Sequence, residues 1–267
     1  MINKNLVKKS FSRHAREYDD YADFQKETGD TLMTMPQNSY QNILDLGCGT
    51  GTYLKKLIDK YQPLHSIAFD LSEAMLEVTK EKLGLQSSVQ YVCADMDEFI
   101  FPPASLDFIF SNLCLQWSED LGKLIQKLSQ SLKKSGEIHF SILGGSTLVE
   151  LRALQQKLFP KAVTALHPFI SQDDLRTIMA TSDFSYFFIE KKITQKKYKS
   201  ASDLLRRLKH IGAQSAAGEN TAFEYGPKQF GKLLKTYDEV FKLTDKDGEG
   251  VVATYETYYV SGFKVKN

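Results

Sequence analysis

Apolar and polar positions along this chain change period in a regular way. Short, nearly continuous apolar runs occur at Asn42-Ile43-Leu44-Asp45-Leu46, Ser66-Ile67-Ala68-Phe69, Val89-Gln90-Tyr91-Val92 and Leu106-Asp107-Phe108-Ile109-Phe110. Runs this short, bounded by turn residues, predict strands covered on both faces of a parallel sheet. Between them lie stretches with helical spacing at 53–60, 72–83 and 121–132. A fifth strand is expected at 137–142, behind Lys133-Lys134-Ser135-Gly136, which reads as a basic helix end closed by glycine. This alternation is the pattern of βαβ units and predicts an α/β, doubly wound sheet. Helical spacing also covers 6–35, ahead of the break Pro36-Gln37-Asn38-Ser39, and returns at 148–158, 171–181 and 202–211. Aromatic, β-rich runs at 184–190 and 254–260 predict late strands. The expected organisation is a single domain over 1–267: an N-terminal helical lid (1–36), a core (37–145), then a lid insertion with closing strands (146–267).

The first strand runs into Asp45 and a turn with glycines at 47, 49 and 51. Such a turn lets bare backbone approach a ligand beyond the carboxyl end of a strand. A phosphate-binding loop needs Gly-Lys-Ser/Thr after its glycines, yet Thr52-Tyr53 follows Gly51. A nicotinamide or flavin fingerprint needs G-x-G-x-x-G, and Thr52 stands where its third glycine should be. The pattern D-x-G-x-G-x-G resembles instead the nucleotide loop of class I S-adenosylmethionine (SAM) methyltransferases. That resemblance implies a Rossmann-like, mostly parallel sheet with an antiparallel final strand, and SAM as cofactor, with S-adenosylhomocysteine as product. Asp45 is suited to the cationic amino group of SAM, and Gly47, Gly49 and Gly51 to close approach. The second strand ends at Asp70, about 20 residues past the last glycine, where an acid can grip both ribose hydroxyls. Asp70-Leu71-Ser72-Glu73-Ala74-Met75 opens a helix capped by Ser72, with Leu71 and Met75 expected against the cofactor. Asp95 and Met96, past the third strand, are candidates for the adenine amino group and an apolar wall. Asn112 ends the fourth strand and completes the expected cofactor set.

Composition narrows the class. The net charge of +1 implies no global attraction to nucleic acid or an anionic membrane, and no apolar run approaches the ~20 residues that cross a bilayer. The N-terminal residues carry charge without an apolar core, so no secretory signal is expected. Three cysteines (Cys48, Cys93, Cys114), an odd number at predicted strand ends, fit reduced thiols and a cytoplasmic protein. The five histidines show no paired-ligand spacing, so no metal is expected.

The acceptor must be read elsewhere. After the fourth strand stands Ser111-Asn112-Leu113-Cys114-Leu115-Gln116-Trp117, without the prolines of an Asn/Asp-Pro-Pro-Tyr motif that handles exocyclic amino groups. This segment, together with Phe11-Ser12-Arg13-His14-Ala15-Arg16-Glu17-Tyr18-Asp19, Phe140–Gly144, Leu148–Arg152, Leu204–Ala213 and Ala253–Thr257, resembles the malonyl-acyl-carrier-protein O-methyltransferases of biotin synthesis. The resemblance runs through nearly the whole chain and departs at His167-Pro168-Phe169 and in the tail after Ala213. It implies methyl transfer to the free carboxylate of a malonyl thioester, a nucleophile already ionised at neutral pH given a pKa of about 4. No general base is then required. Tyr18 and Trp117 are candidates for an aromatic lid, though each also reads as an ordinary surface or core aromatic. Arg152, and second Arg206, are candidates to orient the carboxylate; both equally fit solvated helix arginines. Eight basic residues from Lys191 to Lys209, against Asp203 alone, form a patch that would suit an acidic acyl carrier protein; whether carrier protein or coenzyme A is preferred stays open. The competing readings are another small-molecule methyltransferase, with a quinone or different carboxylic acid as acceptor, and a SAM-binding protein without turnover. An essential His139 or His14 beside the methyl donor would favour a carbon or phenol acceptor.

Overall fold

The computed structural model describes residues 2–35, 38–84, 88–160, 169–212, 226–246 and 248–265; His167, Pro168 and the segment from Ala213 to 225 lie outside them. Helices α1 (Lys4–His14), α2 (Tyr18–Tyr21) and α3 (Asp23–Leu32) come first. The core follows as β1 (Asn42–Leu46), α4 (Thr52–Tyr61), β2 (His65–Asp70), α5 (Glu73–Leu83), β3 (Val89–Cys93), β4 (Leu106–Asn112), a 3-10 turn (Leu115–Trp117), α6 (Leu121–Ser131) and β5 (Leu132–Leu143). The remainder is α7 (Val149–Leu158), α8 (Gln172–Ala180), β6 (Tyr186–Tyr198), α9 (Ala201–His210), α10 (Pro227–Val240), β7 (Lys242–Asp245) and β8 (Gly248–Phe263). The sheet order is β3-β2-β1-β4-β5-β8-β6, with β7 on β8. β1 to β5 pair in parallel, and β8 runs antiparallel to both β5 and β6. This is the class I methyltransferase sheet that the sequence implied.

The central strands are buried on both faces, and successive side chains alternate between two apolar clusters. On β1, Leu44 and Leu46 pack with Ile109, Leu124, Ile125 and Leu128 on one side, while Ile43 packs with Phe108, Phe110, Leu32 and Leu57 on the other. A third cluster joins α7, α9 and α10 to Val251, Ala253 and Tyr255 of β8 and roofs the carboxyl end of the sheet. Two expectations need correcting. Residues 132–136 are not a helix end: they belong to β5, whose pairing with β4 shifts register between Leu106 and Phe108, and Ser135, not Gly136, takes the positive φ of 67°. The N-terminal stretch is three helices with breaks near 15–17 and at Ala22, rather than one continuous helix. Neither α10 nor β7 was legible in the sequence.

Candidate active site

The strand order reverses between β1 and β4, and the site lies beyond the carboxyl ends of β1, β2 and β4, where such a crevice forms. A chamber of about 680 Å³ is lined by Gly47, Gly49, Asp70, Leu71, Met75, Asp95, Met96 and Asn112. Two of the expected residues stand apart from it. Asp45 lines an adjoining recess, which shares Tyr18, Gly47, Gly49 and Asn112 with the chamber. Gly51 lines neither: at φ +74° it caps α4, and a Cβ there would come 2.5 Å from Thr79 Cγ2. Its lack of a side chain serves helix packing. Gly47 likewise leaves room for Cys114, whereas a Cβ on Gly49 would meet nothing within 4 Å. Of the three glycines, Gly49 is the one that keeps its backbone bare towards the cavity.

The loop is held by its own main chain and by Asp70. Gly47 and Cys48 N–H groups donate to the Phe69 carbonyl at 2.8 and 3.0 Å, and the Thr79 hydroxyl donates to the Gly49 carbonyl at 2.8 Å. Gly49 N–H donates to Asp70 Oδ2 at 3.0 Å and Ser72 N–H to Asp70 Oδ1 at 2.8 Å. Burial raises the Asp70 carboxyl to about 6 despite these bonds. Asp45 is more perturbed: burial first, then the charge of Asp70, pushes it to about 8, and its Oδ2 has no hydrogen-bond partner. Burial also raises the Cys48 and Cys114 thiols, which keeps them neutral rather than nucleophilic.

The N-terminal segment closes this chamber. Lys4, Val7, Phe11 and Tyr18 all line it, and sequence spacing had singled out only Tyr18 among them. Lys4 Nζ reaches Asp95 Oδ1 at 2.9 Å and Asp97 Oδ2 at 2.6 Å, tying α1 over the loop after β3. Asn112 donates to the Gln25 carbonyl at 2.9 Å and accepts from Ser141 at 2.7 Å, tying α3 to β4.

A second chamber, about 830 Å³ and mostly apolar, lies behind Phe11, Tyr18, Leu113 and Trp117, which line both spaces. Phe11 meets Trp117 edge-on at 5.8 Å and Tyr18 at 6.3 Å. Gln25, Gln116, Thr147, Leu151, Leu205 and Tyr255 contribute to the rest of its wall. The side-chain oxygens of Gln25 and Gln116 are buried without partners. Neither candidate arginine lines this chamber. Arg152 lies over the Phe169 ring and donates to the carbonyls of Gly145 and Thr147, so it braces the loop after β5. Arg206 is exposed and bonded to Asp203 at 2.6 Å. The histidines singled out as possible bases are also elsewhere: His139 is fully buried beside Glu137 in β5, and His14 faces His210.

Comparison with known proteins identifies the family. Residues 43–136 match a methyltransferase domain. The chain is 31% identical to malonyl-acyl-carrier protein O-methyltransferase 2 of Ilyobacter polytropus, over 84% of this chain and 86% of that one. The chain belongs to the malonyl-acyl-carrier protein O-methyltransferase family. A biotin biosynthesis bifunctional protein of Teredinibacter turnerae is 30% identical over 96% of the methyltransferase and 46% of its own length. In fold, the enzyme resembles phosphoethanolamine N-methyltransferase 2 of Haemonchus contortus, solved with SAM, at TM-score 0.55 and 18% identity, over 91% of this chain and 52% of that one. The chain is thus a SAM-dependent methyltransferase.

The basic patch of the methyltransferase is less naked than its sequence suggests. Lys191 pairs with Glu256 at 2.8 Å, Lys196 with Glu27, Lys197 with Asp245, and Arg207 with Asp23 at 3.1 Å and Asp203 at 3.5 Å. Among the described residues, Lys192, Lys199 and Lys209 keep no carboxylate partner. Apart from Asp203 within the patch, the acids that neutralise the others come from α3, β7 and β8, too far along the chain for local charge counting to find. No described helix is long and apolar enough to cross a membrane.

Proposed function

We propose that this enzyme methylates the free carboxylate of a malonyl thioester carried on acyl carrier protein, an early step of biotin synthesis. The reading is carried by one observation: a chamber that combines Asp70 and Asp95 with apolar walls, suited to SAM, and a second, apolar chamber suited to an acyl thioester share a wall made of Phe11, Tyr18, Leu113 and Trp117. It agrees with the activity for which the relatives are named. The residues fit the donor. The partnerless Asp45 Oδ2 would hold its amino group, Asp70 its ribose hydroxyls and Asp95 the adenine amino group; Leu71, Met75 and Met96 would pack on the base, and the open backbone at Gly49 would admit it closely. Bound there, SAM supplies an electrophilic methyl group.

The chain's own work is positioning and drying. Tyr18 and Trp117 would wall the acceptor carboxylate against water, which solvates an anion and slows its attack. Gln25 would turn its amide NH₂ towards that carboxylate. A neutral donor orients the anion without stabilising it strongly over a transition state in which its charge is consumed. This assigns orientation to an amide where the sequence had suggested Arg152 or Arg206. No residue is required to remove a proton, because the acceptor is ionised at neutral pH. The position of His139 and His14 away from both chambers speaks against carbon and phenol acceptors, and an apolar chamber that shares a wall with the donor site speaks against a binding protein without turnover.

Access is proposed through a cleft where Lys26, Lys196, Lys197, Lys199 and Arg207 outnumber Asp23, Glu27 and Asp203, and which shares Phe24, Gln25, Leu208, Ile211 and Tyr255 with the apolar chamber. A phosphopantetheine arm would pass from this basic mouth inward, with Lys199 free to meet its phosphate. The decisive assay is transfer of radiolabelled methyl from SAM to malonyl-acyl carrier protein, malonyl-coenzyme A and quinones. Label should appear as a base-labile ester on malonyl thioesters, and label on quinones alone would overturn the reading. If the basic mouth docks the carrier, raising salt should weaken the carrier substrate more than the coenzyme A thioester; equal salt dependence would refute docking there.

A further inference from the structure

The sequence shows no paired metal-ligand motif, yet the fold assembles one. His14 ends α1, Glu17 lies in the turn before α2, and His210 ends α9. One ligand atom from each lies within 4.8 Å of the other two. His210 Nδ1 stands 3.4 Å from Glu17 Oε2, and the His14 and His210 rings are 4.6 Å apart. Tyr21 stacks on His210 at 4.1 Å and fixes its plane. Apart from the Glu17 carboxylate at 3.4 Å, the buried His210 Nδ1 makes no hydrogen bond, which leaves it available to a ligand.

We propose that His14, Glu17 and His210 form a binding site for a divalent transition metal of the zinc class, and that the bound ion pins α1 to α9. Two imidazoles and one carboxylate are the donor set that zinc-like ions take, and magnesium or calcium would want oxygens throughout. Tetrahedral coordination at about 2 Å places ligand atoms about 3.3 Å apart. The His210–Glu17 pair is already at that spacing, so the site completes with small rotations of His14.

The consequence is mechanical. Phe11 and Tyr18 on the N-terminal side, and Leu205, Leu208 and Ile211 on the α9 side, line the same apolar chamber. Gly212 packs on Phe11 so closely that a Cβ there would come within 3.0 Å of the ring. An ion joining the ends of α1 and α9 would hold this seam shut, so metal occupancy governs how readily the chamber opens.

The test titrates Zn²⁺ into the full-length enzyme by calorimetry, comparing wild type with His14→Gln, His210→Gln and Cys93→Ala. Cys93 is the exposed thiol and the obvious competing ligand. One ion per wild-type chain is expected. Both histidine variants should weaken it at least about tenfold, with Cys93→Ala unchanged and Mg²⁺ failing to compete. SAM affinity, which neither histidine touches, reports that the variants remain folded. No wild-type binding, equal binding in His210→Gln, or loss only in Cys93→Ala overturns the site. Amide exchange across residues 11–21 should slow with Zn²⁺ in wild type and Cys93→Ala but not in the histidine variants; unchanged exchange in an ion-bound chain overturns the clamp.

Discussion

Replacing Asp45 by Asn probes the polar end of the site through protons. The free carboxyl is pushed to about 8 by burial and then by Asp70, so at pH 7 about nine tenths of molecules carry it protonated. A cationic amino group selects the ionised form. Binding at pH 7 should therefore release about 0.9 proton from Asp45, less the small uptake of the ligand's own amine. It should also be about tenfold weaker than the intrinsic affinity, or ~1.4 kcal/mol. Affinity should climb by up to tenfold per pH unit from 6 towards 8. Below 6 the slope steepens as Asp70, raised by burial to about 6, joins in. In Asp45→Asn the released proton should vanish and the slope between pH 6 and 8 should flatten. The assay is calorimetry of S-adenosylhomocysteine binding at pH 7 in two buffers of different ionisation enthalpy, whose difference counts protons. Identical enthalpies for wild type, or an unchanged proton count in the variant, would refute the reasoning. The same shift has a stability sign. Because the folded pKa is raised, the native state binds the extra proton between the unfolded value near 4 and about 8, and stability falls as pH rises through that window. Ligand-free Asp45→Asn should melt above wild type at pH 8, with the advantage shrinking towards pH 4.

Gln25→Leu should raise KM for the malonyl thioester at least about tenfold while SAM affinity holds, as expected for loss of a buried orienting hydrogen bond; parallel loss of both would remove Gln25 from the acceptor role. Gly51→Ala should cost at least ~2 kcal/mol in denaturant unfolding, combining the left-handed backbone with the Thr79 contact, whereas Gly49→Ala, at a position that is left-handed but meets nothing within 4 Å, should cost only about 1 kcal/mol and weaken SAM binding. Equal stability of the two variants would contradict the different roles assigned to them. Arg152→Ala should lower stability by about 2 kcal/mol through its lost bonds to the Gly145 and Thr147 carbonyls and raise acceptor KM through the loosened loop. An unchanged melting temperature would show that the brace contributes nothing.

The strands at 42–46, 66–69, 89–92 and 106–110 were legible because short buried runs have one stable arrangement, and the glycine turn because left-handed backbone demands its residues. Leu71, Met75, Asp95, Met96 and Asn112 were legible for the same local reason: a parallel sheet places successive strand ends on one rim. The extended β5 and the α10–β7 pair were not, because pairing of Leu132 with Leu106 of β4, pairing of β7 with β8 and packing of α10 against α7 and α9 overrode weak local preference. Lys4, Phe11 and Gln25 joined the site only when α1 and α3 folded across the sheet. The salt partners of the basic patch, and the meeting of His14, Glu17 and His210, are likewise long-range. The order of residues thus determined the rim proposed to bind the donor, since its geometry is local to each strand and turn. Only tertiary structure decided the proposed acceptor side, because that wall is built by helices distant in sequence whose proximity no local pattern encodes.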